Sequence, residues 1–450
     1  MLPHSRAKQA DDLLQVGVYP APVVLWIGVK PKSLGGEEAH AAAFKCRDIL
    51  HEQGITDVDV ELRESSVIRS AGPKLLPPVL TANPTVAARH PLTHALGLPI
   101  SPLAAPTSGG TGGFFMAAGR GSQKLLLITA RHVVFPPSKV PNSLFVRKDS
   151  SQPRVDVLLL GEHTYDGCLE DIMTRIGEHA MTIEDSNWRI KNVKGRDDED
   201  AITELEAAQY EITKAGKAMD ALYKFHGDVK KDWDILTNRV LGHVVYSPPI
   251  RLSAGTADEQ FTEDYAVIEV DDDKIDRSTF AGNVLDLGTT VPIWEFKKMY
   301  PHVQNPMSFN YPADRLLKLR GTISDAEMRC PTTLDENRET CLMVIKDGST
   351  TGVTIGRANG IMSFVREYSN NNCHQESKEW AILPYDHKSG PFSARGDSGA
   401  VVVDGQGRIG GIITGGSGTT SSTDISYVTP IGFLLKSIKA NFPDAHLNPV

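Results

Sequence analysis

The 450-residue chain is poor in cysteine, in long apolar runs and in excess positive charge. The five cysteines form no CxxC pair and no Cys/His group with zinc-site spacing, so neither a zinc site nor a disulfide-stapled fold is predicted. No apolar run approaches the roughly 20 residues that a membrane helix needs. The net charge of -9 offers no basic face to nucleic-acid phosphates. We therefore expect no cofactor, no metal, no membrane and no nucleic-acid partner.

Motifs of two other chemistries are also missing. No HExxH pair is present, and the glycine-rich strings GGTGGFF and GGSGTT lack the Lys-Ser/Thr of a phosphate-binding loop. Metalloprotease and nucleotide-hydrolysing functions are therefore not predicted.

The cysteines indicate the compartment. Their odd number and wide spacing are typical of reduced thiols in an intracellular protein, although Cys330 and Cys341 could pair. The apolar stretch at 23–29 is short, follows charged residues and has no small-residue cleavage site, so it is not predicted to be a secretory signal. The sequence predicts a cytoplasmic protein.

The N-terminal 106 residues are predicted to hold a small module and a linker. Residues 1–70 contain two Val- and Ile-rich strand patterns flanking an amphipathic helix, which predicts a β-α-β module. Residues 71–106 carry eight prolines, which fix φ and lack an N–H, so an extended linker is expected.

The rest of the chain is predicted to be mainly β. Short apolar strands separated by glycine, proline and polar turns run from residue 107 and resume from residue 240. This texture predicts an all-β barrel or sandwich, in a first β region over 107–300 and a second β region with a C-terminal helix over 301–450.

A helical insertion interrupts the first barrel at about 168–238. Its apolar residues recur every three or four positions, which is typical of amphipathic helices, and a break is expected near 226–228. The insertion is expected either to lie on the barrel or to form a hairpin that mediates self-association or gates substrate. A homo-oligomer through this insertion is the predicted protein assembly.

Three motifs carry candidate chemistry, each beside a predicted strand. The string GDSGA at 396–400 places Ser398 between glycines that permit a sharp turn with N–H groups aimed at an oxyanion. In LLLITARHV, His132 follows an apolar strand. In EDYAVIEV, Asp264 precedes an alternating strand, where a buried carboxylate can orient an imidazole.

The order His132, Asp264, Ser398 distinguishes this set from subtilisin and α/β-hydrolase arrangements. With TA-x-H and GDSG, the chain resembles the trypsin-like serine peptidase superfamily over about 108–160 and 240–440. The layout also resembles fungal proteins with this peptidase domain. Four further segments also resemble segments of this superfamily: GTGGFF, VIKDGSTTGVTIG, GGIITGG and YVTPI. The resemblance implies a chymotrypsin-like double six-stranded β-barrel with the N-terminal module and helical insertion added.

The resemblance also implies roles for individual residues. Ser398 would be the nucleophile, His132 the general base and Asp264 the residue that orients His132. The backbone N–H groups of Gly396 and Ser398 would form the oxyanion hole. Asp156, in RVDVLLL, stays open as an alternative orienting aspartate.

Substrate-binding positions follow from the same resemblance. Thr414 is expected to hydrogen-bond the triad aspartate, and Gly415 and Gly416 to offer backbone to an extended peptide. Phe392, Gly416 and Ser426 would line the pocket for the substrate side chain. Phe392 stands where an Arg/Lys-specific member carries aspartate, so a small or medium apolar side chain is expected instead.

The chain departs from zymogen-activated members because it has no Ile-Val-Gly-Gly terminus. Lys346 falls where bacterial members place a basic residue, and we expect it to form a buried pair with Asp397 that pre-forms the oxyanion hole. Ala400 replaces a second glycine, a change that should be tolerated.

The predicted function is that of a serine endopeptidase acting on protein or peptide substrates without a cofactor. The alternative is a non-catalytic scaffold of the same fold that binds peptides or partner proteins, because a fold alone does not prove activity. An esterase is disfavoured, since the Gly-x-Ser-x-Gly elbow and the Ser-Asp-His order are absent.

Overall fold

The computed structural model describes residues 23–30, 33–65, 72–299, 309–334, 339–368, 374–418 and 424–449. The chain forms two compact units, Met1–Arg69 and Ser70–Val450. Cys373 and the TTSST segment at 419–423 lie outside the described residues. Among the described helices, none combines the length and apolar character needed to cross a bilayer.

The first unit is a single β-α-β element. Strand β1 (Val23–Val29) pairs in parallel with β2 (Val58–Glu64), and helix α1 (Gly36–Glu52) connects them. The helix buries none of its residues, and Trp26 and Phe44 keep more than 40% of their surface exposed. The described part of this unit therefore has very little core of its own.

The second unit is dominated by strands. They are β3 (Leu98–Pro102), β4 (Gly110–Gly112), β5 (Phe114–Gly119), β6 (Ser122–Thr129), β7 (Phe145–Val146), β8 (Asp156–Leu159), β9 (Val240–Ser247), β10 (Arg251–Ala254), β11 (Phe261–Glu263), β12 (Ala266–Val270), β13 (Val284–Asp286), β14 (Leu316–Lys318), β15 (Leu342–Gly348), β16 (Gly352–Ala358), β17 (Ser363–Tyr368), β18 (His374–Pro384), β19 (Val401–Asp404), β20 (Ile409–Ser417) and β21 (Ile425–Pro430).

Helices of this unit are short, apart from one long pair and the C-terminal helix. They are α2 (Val86–Arg89), α3 (Arg131–Val134), α4 (Glu162–Val193), α5 (Glu199–Trp233), α6 (Ile293–Met299), α7 (Asp325–Arg329) and α8 (Ile431–Asn441).

Two β-barrels form the body of the second unit. In the first, the strand order is β4-β3-β8-β9-β12-β6-β5, with β7 paired to β9, so this sheet is a half-barrel whose end strands β4 and β5 are not paired with each other among the described residues. In the second, β18-β16-β15-β19-β20-β21 closes through the β18–β21 pairing. The prediction of a mainly β, chymotrypsin-like double barrel is confirmed.

Helices α4 and α5 form a long antiparallel hairpin between β8 and β9. At its base Ile172, Ile176, Leu222 and Phe225 join the main hydrophobic core. Helix α5 runs unbroken through Gly227, so the break predicted near 226–228 is wrong. The buried stripe at Leu222, Phe225, Val229 and Trp233 outweighs the roughly 1 kcal/mol that a helical glycine costs.

The proline-rich segment also differs from its prediction. Leu98–Pro102, expected within a linker, is barrel strand β3. Proline lacks only the donor, and the Pro99 carbonyl still accepts a 2.7 Å hydrogen bond from Leu160 N–H. Leu92 and Leu96 lie in the core just before it, which anchors the segment to the barrel.

Candidate active site

His132 and Asp264 meet because the strands beside them are paired. β6 and β12 run antiparallel with Thr129 opposite Ala266, so the residues after Thr129 and before Ala266 are neighbours. His132 Nδ1 lies 2.6 Å from Asp264 Oδ2, and the backbone N–H of His132 donates to Oδ1 at 3.1 Å.

This pairing fixes the state of the imidazole. An ionised carboxylate can only accept, so Nδ1 carries the proton and Nε2 is left with its lone pair. Burial alone would lower the pKa of His132, but the charge and hydrogen bond of Asp264 raise it above the ordinary value. The ring keeps 28% of its surface exposed, whereas Asp264 keeps 5%.

Asp156, the alternative orienting aspartate, has a different partner. Its Oδ1 accepts a 2.7 Å hydrogen bond from Arg154 Nε, and in the sheet it stands opposite His243. The aspartate bonded to the His132 ring is Asp264.

The loop carrying Ser398 is a tight turn fastened to both barrels. Asp397 N–H donates to the Ala394 carbonyl at 3.0 Å, and Gly396 adopts a φ of +107°, which favours glycine. The Ser398 carbonyl accepts from Thr111 N–H of the first barrel at 2.8 Å. Gly399 N–H donates to the Ile413 carbonyl of the second at 2.7 Å.

Gly399 brings this loop against the strand end that leads to His132. A Cβ placed on Gly399 would lie 2.3 Å from Thr129 Oγ1 and 3.1 Å from Ala130 N, so no larger residue fits without movement. The hydrogen bonds of the described residues do not include one between Ser398 Oγ and His132. The structure therefore brings the two loops together and leaves the hydroxyl and the imidazole unbonded.

The backbone around Ser398 offers two donors. The N–H groups of Asp397, Gly399 and Ala400 each donate to a carbonyl, whereas among the described residues those of Gly396 and Ser398 donate to none. Two N–H groups with this arrangement can receive an oxyanion.

A buried ion pair lies beneath this turn. Lys346 Nζ is 3.3 Å from Asp397 Oδ2, and both side chains are fully buried. Asp397 also accepts from the N–H groups of Thr350 at 2.9 Å, Thr351 at 3.2 Å and Ala394 at 2.9 Å, and from the Thr351 hydroxyl at 2.6 Å.

These donors determine the charge state of Asp397. Burial opposes ionisation, but Lys346 and the hydrogen bonds lower the pKa of the carboxyl below its ordinary value. Thr350 and Thr351 were not singled out from the sequence. They lie inside the VIKDGSTTGVTIG segment, and hydroxyl residues in a turn after a buried lysine are the signal that could have identified them.

An open cleft of about 500 Å³ lies beside the His132–Asp264 pair. It is lined by residues of both barrels: Arg131, His132, Phe135, Pro137, Val140, Asn142, Ile250, Leu252, Thr262, Asp264, Val365, Ser377, Glu379, Thr414, Gly415, Gly416 and Tyr427. Three of the predicted substrate-binding residues, Thr414, Gly415 and Gly416, are therefore at the cleft.

Phe392 and Ser426 lie elsewhere. Phe392 is packed in the core with 1% of its surface exposed, and Ser426 Oγ hydrogen-bonds Ser393 Oγ at 2.5 Å. The Thr414 hydroxyl contacts Thr429 Oγ1 at 3.5 Å and not Asp264, so the expected hydrogen bond to the aspartate is absent from the described contacts.

Within the described ranges, no group of three His, Cys, Asp or Glu side chains is placed to hold a metal ion. Cys330 is an exposed free thiol, so its pairing with Cys341 is not formed.

No protein-family model and no curated protein matches the chain. The solved structures similar to it include serine proteases. A glutamic acid specific serine protease that uses a histidine triad in substrate binding is 13% identical, with 76% of this chain and 97% of that chain covered and a TM-score of 0.31.

Two further structures show the range of the similarity. Cellulomonas bogoriensis chymotrypsin is 15% identical over 44% of this chain and 83% of its own, with a TM-score of 0.21. The HtrA-type protease AlgW, solved with a tripeptide, is 14% identical over 46% of this chain and 50% of its own, also with a TM-score of 0.21. At these values the matches assign no role to individual residues.

Proposed function

We propose that this protein is a serine endopeptidase in which Ser398, His132 and Asp264 act together. The observation that carries the proposal is the 2.6 Å contact between His132 Nδ1 and Asp264 Oδ2, which directs the Nε2 lone pair away from the carboxylate. The nearby turn presents Ser398 with two N–H groups that have no protein acceptor among the described residues.

The chemistry follows from these groups. Ser398 Oγ attacks the substrate carbonyl carbon while His132 Nε2 takes its proton, and the carbonyl oxygen becomes an oxyanion facing the Gly396 and Ser398 N–H groups. His132 then gives the proton to the leaving amine, which breaks the C–N bond and leaves an acyl-serine. Water, deprotonated by the same imidazole, releases the acid and restores the enzyme.

The hydroxyl-imidazole bond is expected to form when substrate is bound. In substrate-free structures such bonds are often long or misaligned and tighten only in the complex. A Cβ added to Gly399, the residue after Ser398, would lie 3.1 Å from the backbone nitrogen of Ala130, two residues before His132, so the two segments lie close together.

The proposed substrate is an extended peptide. Gly415 and Gly416 lie at the cleft on β20, where backbone groups can pair with an added strand. We also propose a cytoplasmic location, supported by the sparse cysteines and by the exposed free thiol of Cys330.

Labelling by a fluorophosphonate probe tests the proposal. Wild type and the control Ser389→Ala, an exposed serine of a neighbouring loop, should label, and Ser398→Ala should not. Absence of labelling in folded wild-type protein, or equal labelling of Ser398→Ala, would favour the non-catalytic scaffold.

A further inference from the structure

The cleft beside the His132–Asp264 pair has an apolar wall that the proposed reaction does not use. Half-buried apolar side chains form this wall: Val140, Ile250, Leu252, Val365 and Tyr427. Apolar surface that lines an open cleft gains free energy when an apolar group of a ligand covers it. The wall is therefore a candidate contact for a substrate side chain.

The strand registers place part of this wall on the same face as Gly415. Gly415 stands opposite Tyr427, and Tyr427 stands opposite Ala381, so these three residues share one face. Val365 stands opposite Ser377, which precedes Ala381 by four positions on β18. Because side chains alternate along a strand, Val365 lies on that face as well.

The edge of β20 beside this face is open to a peptide. The pairing of β19 with β20 ends at Val401 and Ile412, and beyond Ile413 the described strands include only β21 as a partner of β20. A peptide paired with β20 at Gly415 would therefore continue the line of β19. Ser398 lies just before β19, so such a peptide would run to the proposed nucleophile.

The two faces of that peptide would meet different surroundings. A Cβ placed on Gly415 would meet no atom within 4 Å, whereas one placed on Gly416 would lie 2.9 Å from the Ile425 carbonyl oxygen. An extended peptide sends alternate side chains to the two faces of a sheet. A side chain on the Gly415 face would enter the cleft, and its neighbours would point to the face of Ser426, which stands opposite Gly416.

Tyr427 gives the wall a fixed aromatic surface. Its hydroxyl lies 2.8 Å from Ser417 Oγ, and Ser417 follows Gly415 by two positions on β20. The ring is therefore held between β21 and β20 on the face that the peptide side chain would enter. An aromatic ring held in this way offers a large apolar contact at little cost in side-chain entropy.

The charged residues that line the cleft are already engaged by the protein. The Arg131 guanidinium donates to the Ser247 hydroxyl at 2.9 Å and to the Ser143 carbonyl at 2.7 Å.

The acids of the cleft are engaged in the same way. Asp264 is bonded to His132. Glu379 Oε1 accepts from the hydroxyls of Ser377, at 2.8 Å, and Thr262, and its other carboxylate oxygen is buried. The surface left for a substrate side chain on this face is therefore the apolar wall.

We propose that Val365 and Tyr427 determine specificity by binding an apolar side chain of the peptide, at the substrate position that shares the face of Gly415. This inference rests on the proposed peptidase function and names its substrate class. Each methylene group buried against such a wall improves binding by about fourfold, so norleucine should exceed alanine there by roughly tenfold or more.

The test is cleavage of a positional library of internally quenched peptides that carry norleucine, alanine, lysine or glutamate at each position in turn. Wild type should prefer norleucine to alanine by roughly tenfold or more at the position that faces the wall. Val365→Asp should lose that preference and should improve cleavage of the lysine peptide relative to the norleucine peptide by about tenfold, because a carboxylate then faces the side chain.

Phe364→Asp is the matched control. Phe364 precedes Val365 on β17, points to the opposite face of the strand and is 68% exposed. This variant should label with the fluorophosphonate probe and should keep the wild-type preference at every position.

Val365→Thr covers the case in which Val365→Asp does not fold. Threonine keeps the β-branched shape but replaces one methyl group by a hydroxyl, so the norleucine preference should fall by about threefold. The inference is overturned, and the peptidase proposal left standing, by labelled wild type that prefers norleucine to alanine at no position. The same follows from a preference that every folded Val365 variant retains, or that Phe364→Asp weakens equally.

Protein that neither labels nor cleaves overturns the peptidase proposal instead. Fluorescence anisotropy of matched norleucine and lysine peptides bound to the same protein then tests the apolar wall. Tighter binding of the norleucine peptide supports the wall as a side-chain site. Equal binding of the two peptides, or no binding at millimolar concentration, overturns that inference too.

Discussion

Lys346 Nζ lies 3.3 Å from Asp397 Oδ2, and neither side chain has any exposed surface. Asp397 immediately precedes Ser398, and its carboxylate also accepts the N–H groups of Thr350, Thr351 and Ala394. The charge of an interior lysine is thus directed at the backbone that shapes the proposed oxyanion hole. We therefore predict that no newly cleaved N-terminus is needed to supply that charge.

Replacing Lys346 by methionine should remove this support. The variant leaves Asp397 buried without its cation, a change that costs about 3–5 kcal/mol of the free energy of unfolding. Urea denaturation should show that loss, and the rate of fluorophosphonate labelling should fall with it. Lys388→Met, at an exposed loop position, should change neither quantity. Unchanged labelling in Lys346→Met would contradict the proposed role.

The Asp264–His132 contact predicts the pH dependence of labelling. The base must be neutral, and Asp264 raises the pKa of His132 above its ordinary 6.5, so labelling should decline as pH falls through a midpoint above 6.5. Asp264→Asn should move that midpoint downward and slow labelling by about 10⁴-fold, because the tautomer is no longer fixed. Asp156→Asn serves as the control and should label like wild type. If Asp156→Asn slowed labelling as much as Asp264→Asn does, Asp156 would again be a candidate for the residue that orients His132.

A second ion pair, in which Asp347 is buried and His90 keeps 25% of its side chain exposed, predicts how stability varies with pH. His90 Nε2 lies 2.9 Å from Asp347 Oδ2; burial opposes protonation, yet Asp347 raises the pKa of His90 to about 9. A raised histidine pKa stabilises the fold fully below the unfolded value of 6.5, and the contribution is lost as pH rises through about 9.

The corresponding measurement is the free energy of unfolding between pH 6 and about 10. Over this range the free energy of unfolding of wild type should fall by up to about 3 kcal/mol more than that of His90→Gln. His387→Gln, exposed on a loop, should follow wild type. Identical pH profiles for wild type and His90→Gln would show that the pair is not linked to folding.

Self-association through the α4–α5 hairpin remains a prediction of the sequence. The distal part of the hairpin exposes Met181, Trp188 and Tyr210 by more than 60% each, while the core anchors at Ile176 and Leu222 lie outside it. Replacing 181–216 by a short glycine-serine loop should convert an oligomer into a monomer without loss of labelling, as measured by light scattering. Self-association through the hairpin would be ruled out if the wild-type protein were a monomer, or if the variant lacking 181–216 still had the mass of the oligomer.

The parts of the site predictable from the sequence are those encoded locally. An apolar run ending at Thr129, an aspartate just before an alternating strand and a glycine-bracketed serine are visible in a few residues each. Strand alternation by itself predicts an all-β barrel or sandwich, and the resemblance to trypsin-like peptidases implies the double barrel. Antiparallel pairing of β6 with β12 then places His132 beside Asp264.

What the sequence could not reveal depends on contacts between distant strands. Glu379 meets Thr262 because β11 and β18 pair in parallel at Phe261 and Lys378, 117 residues apart along the chain. The hydrogen bond between Ser393 and Ser426 likewise joins separate segments. The linker predicted over 71–106 likewise fails at Leu98–Pro102, because tertiary packing makes this segment a barrel strand.

The long helices α4 and α5 leave and re-enter the barrel between strands that are hydrogen-bonded to each other, with Val157 opposite Gly242. The α4–α5 segment is thus the connection between two neighbouring antiparallel strands, and the length of this connection does not affect the geometry of the barrel. The segment between β8 and β9 can therefore be replaced without changing how these two strands pair. A foreign helical pair, a reporter domain or a minimal turn could each be inserted there.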